Sequence, residues 1–161
     1  MRTHIGTKVV NAKPMNRADY NTLRGWELPA NENGEDSGYL VEYTDGGTPN
    51  HTNYPGYISW SPQAQFEGAY RQTDGLTFGL AIALLKRGER VARAGWNGKG
   101  MWLHLKRYVE GAEHLVQLLP PDVLKIQALP WIGMKTADNY FVPWLASQTD
   151  ILAEDWQLVT G

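Results

Sequence analysis

The sequence contains no cysteine, so disulfides and thiolate metal sites are excluded. Its four histidines, His4, His51, His104 and His114, form neither an HxxxH nor an HxH pattern, and a histidine-based metal site has no local signature. His104 falls within a strand pattern, where a satisfied structural role is favoured over catalysis. No apolar run approaches the roughly 18–20 residues that cross a bilayer. The first residues, Met1 to Gly6, lack the apolar core of a signal peptide. A cytoplasmic protein fits the lack of cysteine. No P-loop, GxSxG or paired-carboxylate motif is present either. A metal-free phosphodiesterase built on scattered His and Lys side chains stays open as the catalytic alternative, and a structural or protein-interaction module as the non-catalytic one.

What is present reads as a soluble globular protein. The 161 residues are 42% hydrophobic and 20% charged, enough for one domain or two small ones with a real core. The net charge of −2 hides an asymmetry. Residues 1–75 carry six basic and nine acidic side chains, and residues 108–161 two basic and seven acidic. Residues 76–107 instead carry seven cations (Lys86, Arg87, Arg90, Arg93, Lys99, Lys106, Arg107) against Glu89 alone. A cationic band in an acidic chain is poorly suited to long nucleic acids, which the remainder repels. It suits a small phosphate-bearing ligand better, unless it is simply a solvated helix end followed by a basic strand.

The chain divides near Thr73-Asp74-Gly75, giving expected domains of residues 1–75 and 76–161. In the first, Lys8–Ala12, Tyr39–Tyr43 and Gly56–Trp60 read as strands. Asn16 caps a helix running to Leu23 and stopped by Gly25. Ser61-Pro62 reads as a cap followed by proline at the first helical position, opening a helix to about Tyr70. In the second, Thr77 caps a helix ended by Gly88. Strands are expected at 90–93, 101–105, 131–135, 140–142 and 156–159, with a turn at 136–139. Ser147 and Asp150 form a capping arrangement for a helix to about Glu154. Residues 108–130 are interrupted by Pro120-Pro121 and receive no assignment. Short strands without βαβ rhythm imply an α+β fold, short helices on antiparallel sheet in two small subdomains.

Two segments concentrate the ligand-binding chemistry. The first, Arg93 to Met101, combines three glycines with Trp96, Asn97, Lys99 and Arg93. A ring face can stack on Trp, phosphates can meet the cations and backbone N–H groups, and glycine permits close approach. The second runs from Pro143-Trp144 through Ser147, Gln148, Thr149 and Asp150 to Trp156. Ser147 and Thr149 stand at a helix start, where free N–H groups favour anions. Asn97 and Gln148 both donate and accept, which suits a base edge or ribose hydroxyl. The candidate set is Arg93, Trp96, Asn97, Gly98, Lys99 and Met101 with Trp144, Ser147, Gln148, Thr149 and Asp150. Each also has a plain structural role: Trp as core, Ser147 as cap, Asp150 as stabiliser of a helix start. Trp131 and Trp156 read as core, and Trp102 can face either way. Neither segment offers a nucleophile–base pair, so no catalytic residue, metal or cofactor is assigned.

Residues 78–101, with Met134–Asp138 and Trp144–Trp156, closely resemble a small domain common in bacteriophage genomes. That family includes the second type of phage Thoeris anti-defence protein, and the resemblance covers roughly residues 76–161. It implies a sponge: a homo-oligomer, dimer or tetramer, in the host bacterial cytoplasm that sequesters glycocyclic ADP-ribose, the signal of a TIR-domain enzyme, without cleaving it. Some relatives are described as also capturing cyclic di- or trinucleotides made by CBASS cyclases. Residues 8–15, 38–43 and 56–62 resemble small phage proteins of unassigned function, a half that the shorter sponges lack. Neither membrane nor long nucleic acid is an expected partner.

Overall fold

Alternating apolar and polar residues, broken by turns rich in Gly, Asn and Asp, build two antiparallel sheets. The computed structural model describes residues 1–96, 99–107 and 129–160. The chain forms two compact units, Met1–Arg71 and Gln72–Gly161. Short helices on antiparallel sheets are the α+β architecture expected.

In the first unit, β1 (Val10–Pro14), β2 (Gly38–Tyr43) and β3 (Tyr57–Pro62) pair in that order. Helix α1 (Arg17–Arg24) starts where the Asn16 side chain accepts from the Asp19 N–H at 2.7 Å. It ends where Gly25 enters the left-handed region at φ 66°. Its Tyr20 is buried with Leu40 and Ile58, and Met15, Leu23, Tyr54 and Trp60 pack around them. The buried Glu42 carboxylate is satisfied by Asn11 Nδ2 and the Gly56 N–H, both at 3.1 Å. β1 lies two residues beyond its expected start because β2 sets the register, Val10 opposite Tyr43.

Ser61-Pro62 is a correction. Both residues belong to β3, opposite Tyr39 and Gly38, and helix α2 (Gln63–Ala69) begins with no side-chain cap. Pairing with β2 extends to the end of the strand and takes the two residues that local capping rules assign to the helix.

In the second unit, β4 (Arg90–Arg93), β5 (Trp102–Lys106), β6 (Trp131–Lys135), β7 (Phe141–Pro143) and β8 (Trp156–Val159) form one antiparallel sheet. Their order is β7-β6-β5-β4-β8. Helix α3 (Phe78–Arg87) is capped by the Thr77 side chain and ended by Gly88 at φ 92°. It packs on β4, β5 and β8. Ala81, Leu84 and Leu85 of the helix are buried, as are Val91, Leu103 and Trp156 of those strands. Strands β4 to β7 are consecutive neighbours, but β8 returns to the far side of β4. The stretch between β7 and β8 must therefore travel from one sheet edge to the other, carrying α4 (Gln148–Ile151) with it. Helix α4 stops before the expected Glu154, because the chain must turn to bring Trp156 opposite Arg93.

Candidate functional site at the β4–β8 junction

Pairing of β4 with β8 brings the two candidate segments together, and Arg93 is the pin. Its Nη1 donates to Asp150 Oδ1 at 2.8 Å and to the Thr149 carbonyl at 3.3 Å, and its Nε donates to Asp155 Oδ1. Asp155 also accepts from the Gly95 N–H at 3.3 Å, and its carbonyl accepts from the Ala94 N–H at 3.0 Å. The hydrogen bond to Asp155 holds the Arg93 guanidinium charged more firmly than usual. Burial alone raises the carboxyl pKa of Asp150 and of Asp155. The hydrogen bonds from Ser147 and Arg93 to Asp150, and from Arg93 and Gly95 to Asp155, outweigh it and hold both below the ordinary range. A phosphate approaching Arg93 competes with two carboxylates already seated.

Helix α4 begins with a complete capping box. The Asp150 N–H donates to Ser147 Oγ at 3.2 Å, and the Ser147 N–H donates to Asp150 Oδ2 at 3.1 Å. Thr149 Oγ1 lies 2.8 Å from Ser147 Oγ. The polar atoms of Ser147, Thr149 and Asp150 are thus largely engaged with one another and with Arg93. Gln148 is exposed beside them.

Around the pin stands an aromatic cluster. Trp156 is fully buried, as its strand pattern suggests, and its Nε1 donates to the Asp150 carbonyl at 3.0 Å. Trp96 and Trp144 meet it edge-on, with centroids 5.7 and 6.0 Å away at 77° and 83°. Phe78, at the start of α3, touches both Trp144 (6.2 Å) and Trp156 (5.5 Å). Edge-to-face packing on a buried ring fixes the orientation of Trp96 and Trp144, and each remains only half-buried.

Trp144 also walls a cavity of about 500 Å³ together with Phe78, Ile82, Lys86, Trp131 and Leu145. This is an ordinary size for a small-molecule pocket. Trp96 lies outside that lining, so the two candidate tryptophans share a neighbour without sharing the cavity. Phe78 and Lys86 are outside the candidate set, although Lys86 belongs to the cationic band; both lie on α3, the helix that packs on β4, β5 and β8. Lys99 is exposed and Met101 half-buried. Gly100, at φ 63°, turns the backbone so that its carbonyl accepts from Lys135 Nζ at 3.0 Å. Asn97 and Gly98 lie outside the described residues, as do residues 108–128.

Two expectations about the sheet need correction. Trp131, expected in the core, is 42% exposed. Alternation along β6 turns it away from Ile132, and its ring meets Phe141 at 5.8 Å. His104 is not fully satisfied: its Nδ1 is buried with no hydrogen-bond partner among the described residues. Trp102 is half-buried, with the Arg90 guanidinium 5.3 Å from its ring centre and Phe141 at 6.0 Å.

Residues 76–159 match the Thoeris anti-defense 2-like domain. The chain belongs to that family. It is 41% identical over 85 residues to Thoeris anti-defense 2 of Bacillus phage SP01, a match covering 53% of this chain and 96% of that protein. Membership places the chain among phage anti-defence proteins. The family domain contains the pin, the aromatic cluster and the Trp144 cavity, whereas the first unit lies outside the matched residues. Among the described residues no helix is long and apolar enough to cross a membrane.

Proposed function

We propose that this protein is a sponge: it binds a cyclic signalling nucleotide, with glycocyclic ADP-ribose as the first candidate, and withholds it without cleavage. The observation that carries the reading is Trp144. Its ring is held edge-on by Trp156 and at a tilt by Phe78, is only half-buried, and lines a 500 Å³ cavity that Lys86 also lines. A ring so fixed is a stacking platform, and base–aromatic stacking contributes about 1–3 kcal/mol per base. The cationic band of residues 76–107 supplies charge of the sign that phosphates need. Membership of an anti-defence family supports a host immune signal as the ligand and the host cytoplasm as the place of action.

In this reading Trp144 stacks on a purine face, Lys86 and Lys99 meet phosphates, and Trp96, Met101 and Gln148 contribute edges. Arg93, Ser147, Thr149 and Asp150 hold the frame that positions them. Residues 76–161 carry the binding, and residues 1–75 form a separate module. Sequestration demands affinity near nanomolar, about −12 kcal/mol, and sites between protomers of a homo-oligomer supply the needed enclosure.

Calorimetry tests this with glycocyclic ADP-ribose and a panel of cyclic di- and trinucleotides, followed by heating and mass spectrometry of the released ligand. The expected result is tight saturating binding of at least one ligand, recovered chemically intact. Recovery of an altered product would make the protein an enzyme, and absence of binding to every member would end the sponge reading.

A further inference from the structure

The first unit carries a cup of its own, built on the sheet face opposite Tyr20. Alternation along the strands puts Tyr43, Tyr57 and Ser59 on one face. Tyr43 and Tyr57 are direct cross-strand partners, with ring centres 6.3 Å apart at 45°. Ser59 Oγ approaches the Tyr43 hydroxyl at 3.5 Å. The third ring, Tyr70, follows α2 and is held by a stack in which Tyr39 meets Phe66 at 4.2 Å and Phe66 meets Tyr70 at 4.8 Å. The loop after β2 closes one side. Gly46 (φ 134°) and Gly47 (φ 94°) let it pass so near Tyr57 that a Cβ on Gly47 would lie 3.2 Å from the tyrosine Cβ. These residues line an open, shallow depression of about 680 Å³.

The charges at its rim cancel. Lys8 Nζ lies 3.4 Å from Asp45 Oδ1 and 5.0 Å from the centre of the Tyr43 ring. A phosphorylated ligand would therefore meet one carboxylate and a single, already paired, ammonium. A purely apolar ligand would cover the tyrosine and serine hydroxyls and leave them without partners, which is costly. A neutral ring bearing several hydroxyls suits both halves of the lining. Its C–H faces pack on the phenol rings, and its hydroxyls pair with Asp45, Lys8, Ser59 and the phenol oxygens.

We propose that this cup, formed by Tyr43, Tyr57, Tyr70, Ser59, Asp45 and Lys8, is a binding site for a neutral saccharide ring. It is independent of the nucleotide cavity, since its lining falls wholly within residues 8–70. It also gives the first unit, which the family domain does not include, a task of its own.

Saturation-transfer NMR on the full chain tests it, with glucose, galactose, mannose, N-acetylglucosamine, maltotriose and chitotriose as probes. The expected result is transfer to the ring C–H protons of at least one sugar. Tyr57→Ala removes a ring that is 43% exposed, and should weaken that binding at least tenfold while the circular dichroism stays unchanged. If Tyr57→Ala disturbs folding, Asp45→Ala, at a surface loop, carries the same test. Trp144→Ala in the second unit should leave sugar binding as it was. Absence of transfer from every sugar would overturn the proposal, as would wild-type affinity in the folded variants or loss of sugar binding in Trp144→Ala.

Discussion

Replacing Arg93 by methionine isolates the pin between the two candidate segments. The substitution keeps an apolar stem near the Trp156 ring, 5.7 Å from the guanidinium carbon, and deletes the charge with its donors. The Arg93 and Asp150 side chains are 19% and 16% exposed, whereas Asp155 is 37% exposed. Fully buried pairs cost about 3–5 kcal/mol when one partner is removed, and exposed pairs contribute about 0.2–1 kcal/mol. The Asp150 contact lies between these limits and the Asp155 contact near the lower one, so a loss of about 2 kcal/mol is expected for the second unit. For a domain of this size that is a fall of roughly 8–16 °C in its melting temperature. The pH dependence distinguishes this account from a simple packing defect. Both carboxyl pKa values are lowered in the folded protein. Their contribution is therefore complete above the unfolded carboxylate value near 3.9 and disappears as pH falls through the lower folded values. Thermal melts followed by tryptophan fluorescence between pH 7 and pH 2.5 should show a wide gap between wild type and variant that narrows below about pH 4. A gap below about 0.5 kcal/mol at pH 7, or one that persists unchanged in acid, would refute the pin.

Trp144 and Trp156 should separate binding from folding. Trp156→Ala empties a fully buried site and should cost about 3–5 kcal/mol in chemical denaturation. Trp144→Ala should cost less stability but weaken nucleotide binding roughly tenfold or more in calorimetry. Gly56→Ala should destabilise the first unit by about 1–3 kcal/mol, since its Cβ would stand 2.2 Å from the Tyr43 carbonyl oxygen; hydrogen exchange should locate the loss there and not in the second unit. Asn16→Ala removes the acceptor of the α1 cap and should cost about 0.5–2 kcal/mol by urea titration.

The sponge reading and the architecture are linked through β8. A strand that continued the meander beyond β7 would leave Trp156 and Asp155 far from Arg93. The return to β4 seats Trp156 beneath Trp96 and Trp144 instead, and one buried ring orients two partly exposed ones. On the proposed sponge function, a surface built this way would need little rearrangement to receive a flat ligand, which would lower the ordering cost of tight binding.

The sequence by itself determined the local elements. Asn16 and Gly25, Thr77 and Gly88, and Ser147 with Asp150 mark helix ends because their side-chain oxygens or their tolerance of positive φ act over a few residues. The α+β class, the cationic band and the family domain were equally legible, being matters of pattern, composition and motif. Only the tertiary structure decided what depends on partners distant along the chain. Ser61-Pro62 became strand because β2 lay beside it, and Trp131 turned outward because the register of β6 put Ile132 and Met134 on the other side. Arg93, a cation that composition offers to any phosphate, is committed to Asp150 and Asp155 because β8 folds back against β4. Capping chemistry is local and can be read from spacing, whereas charge pairing and burial depend on which strand arrives as the neighbour.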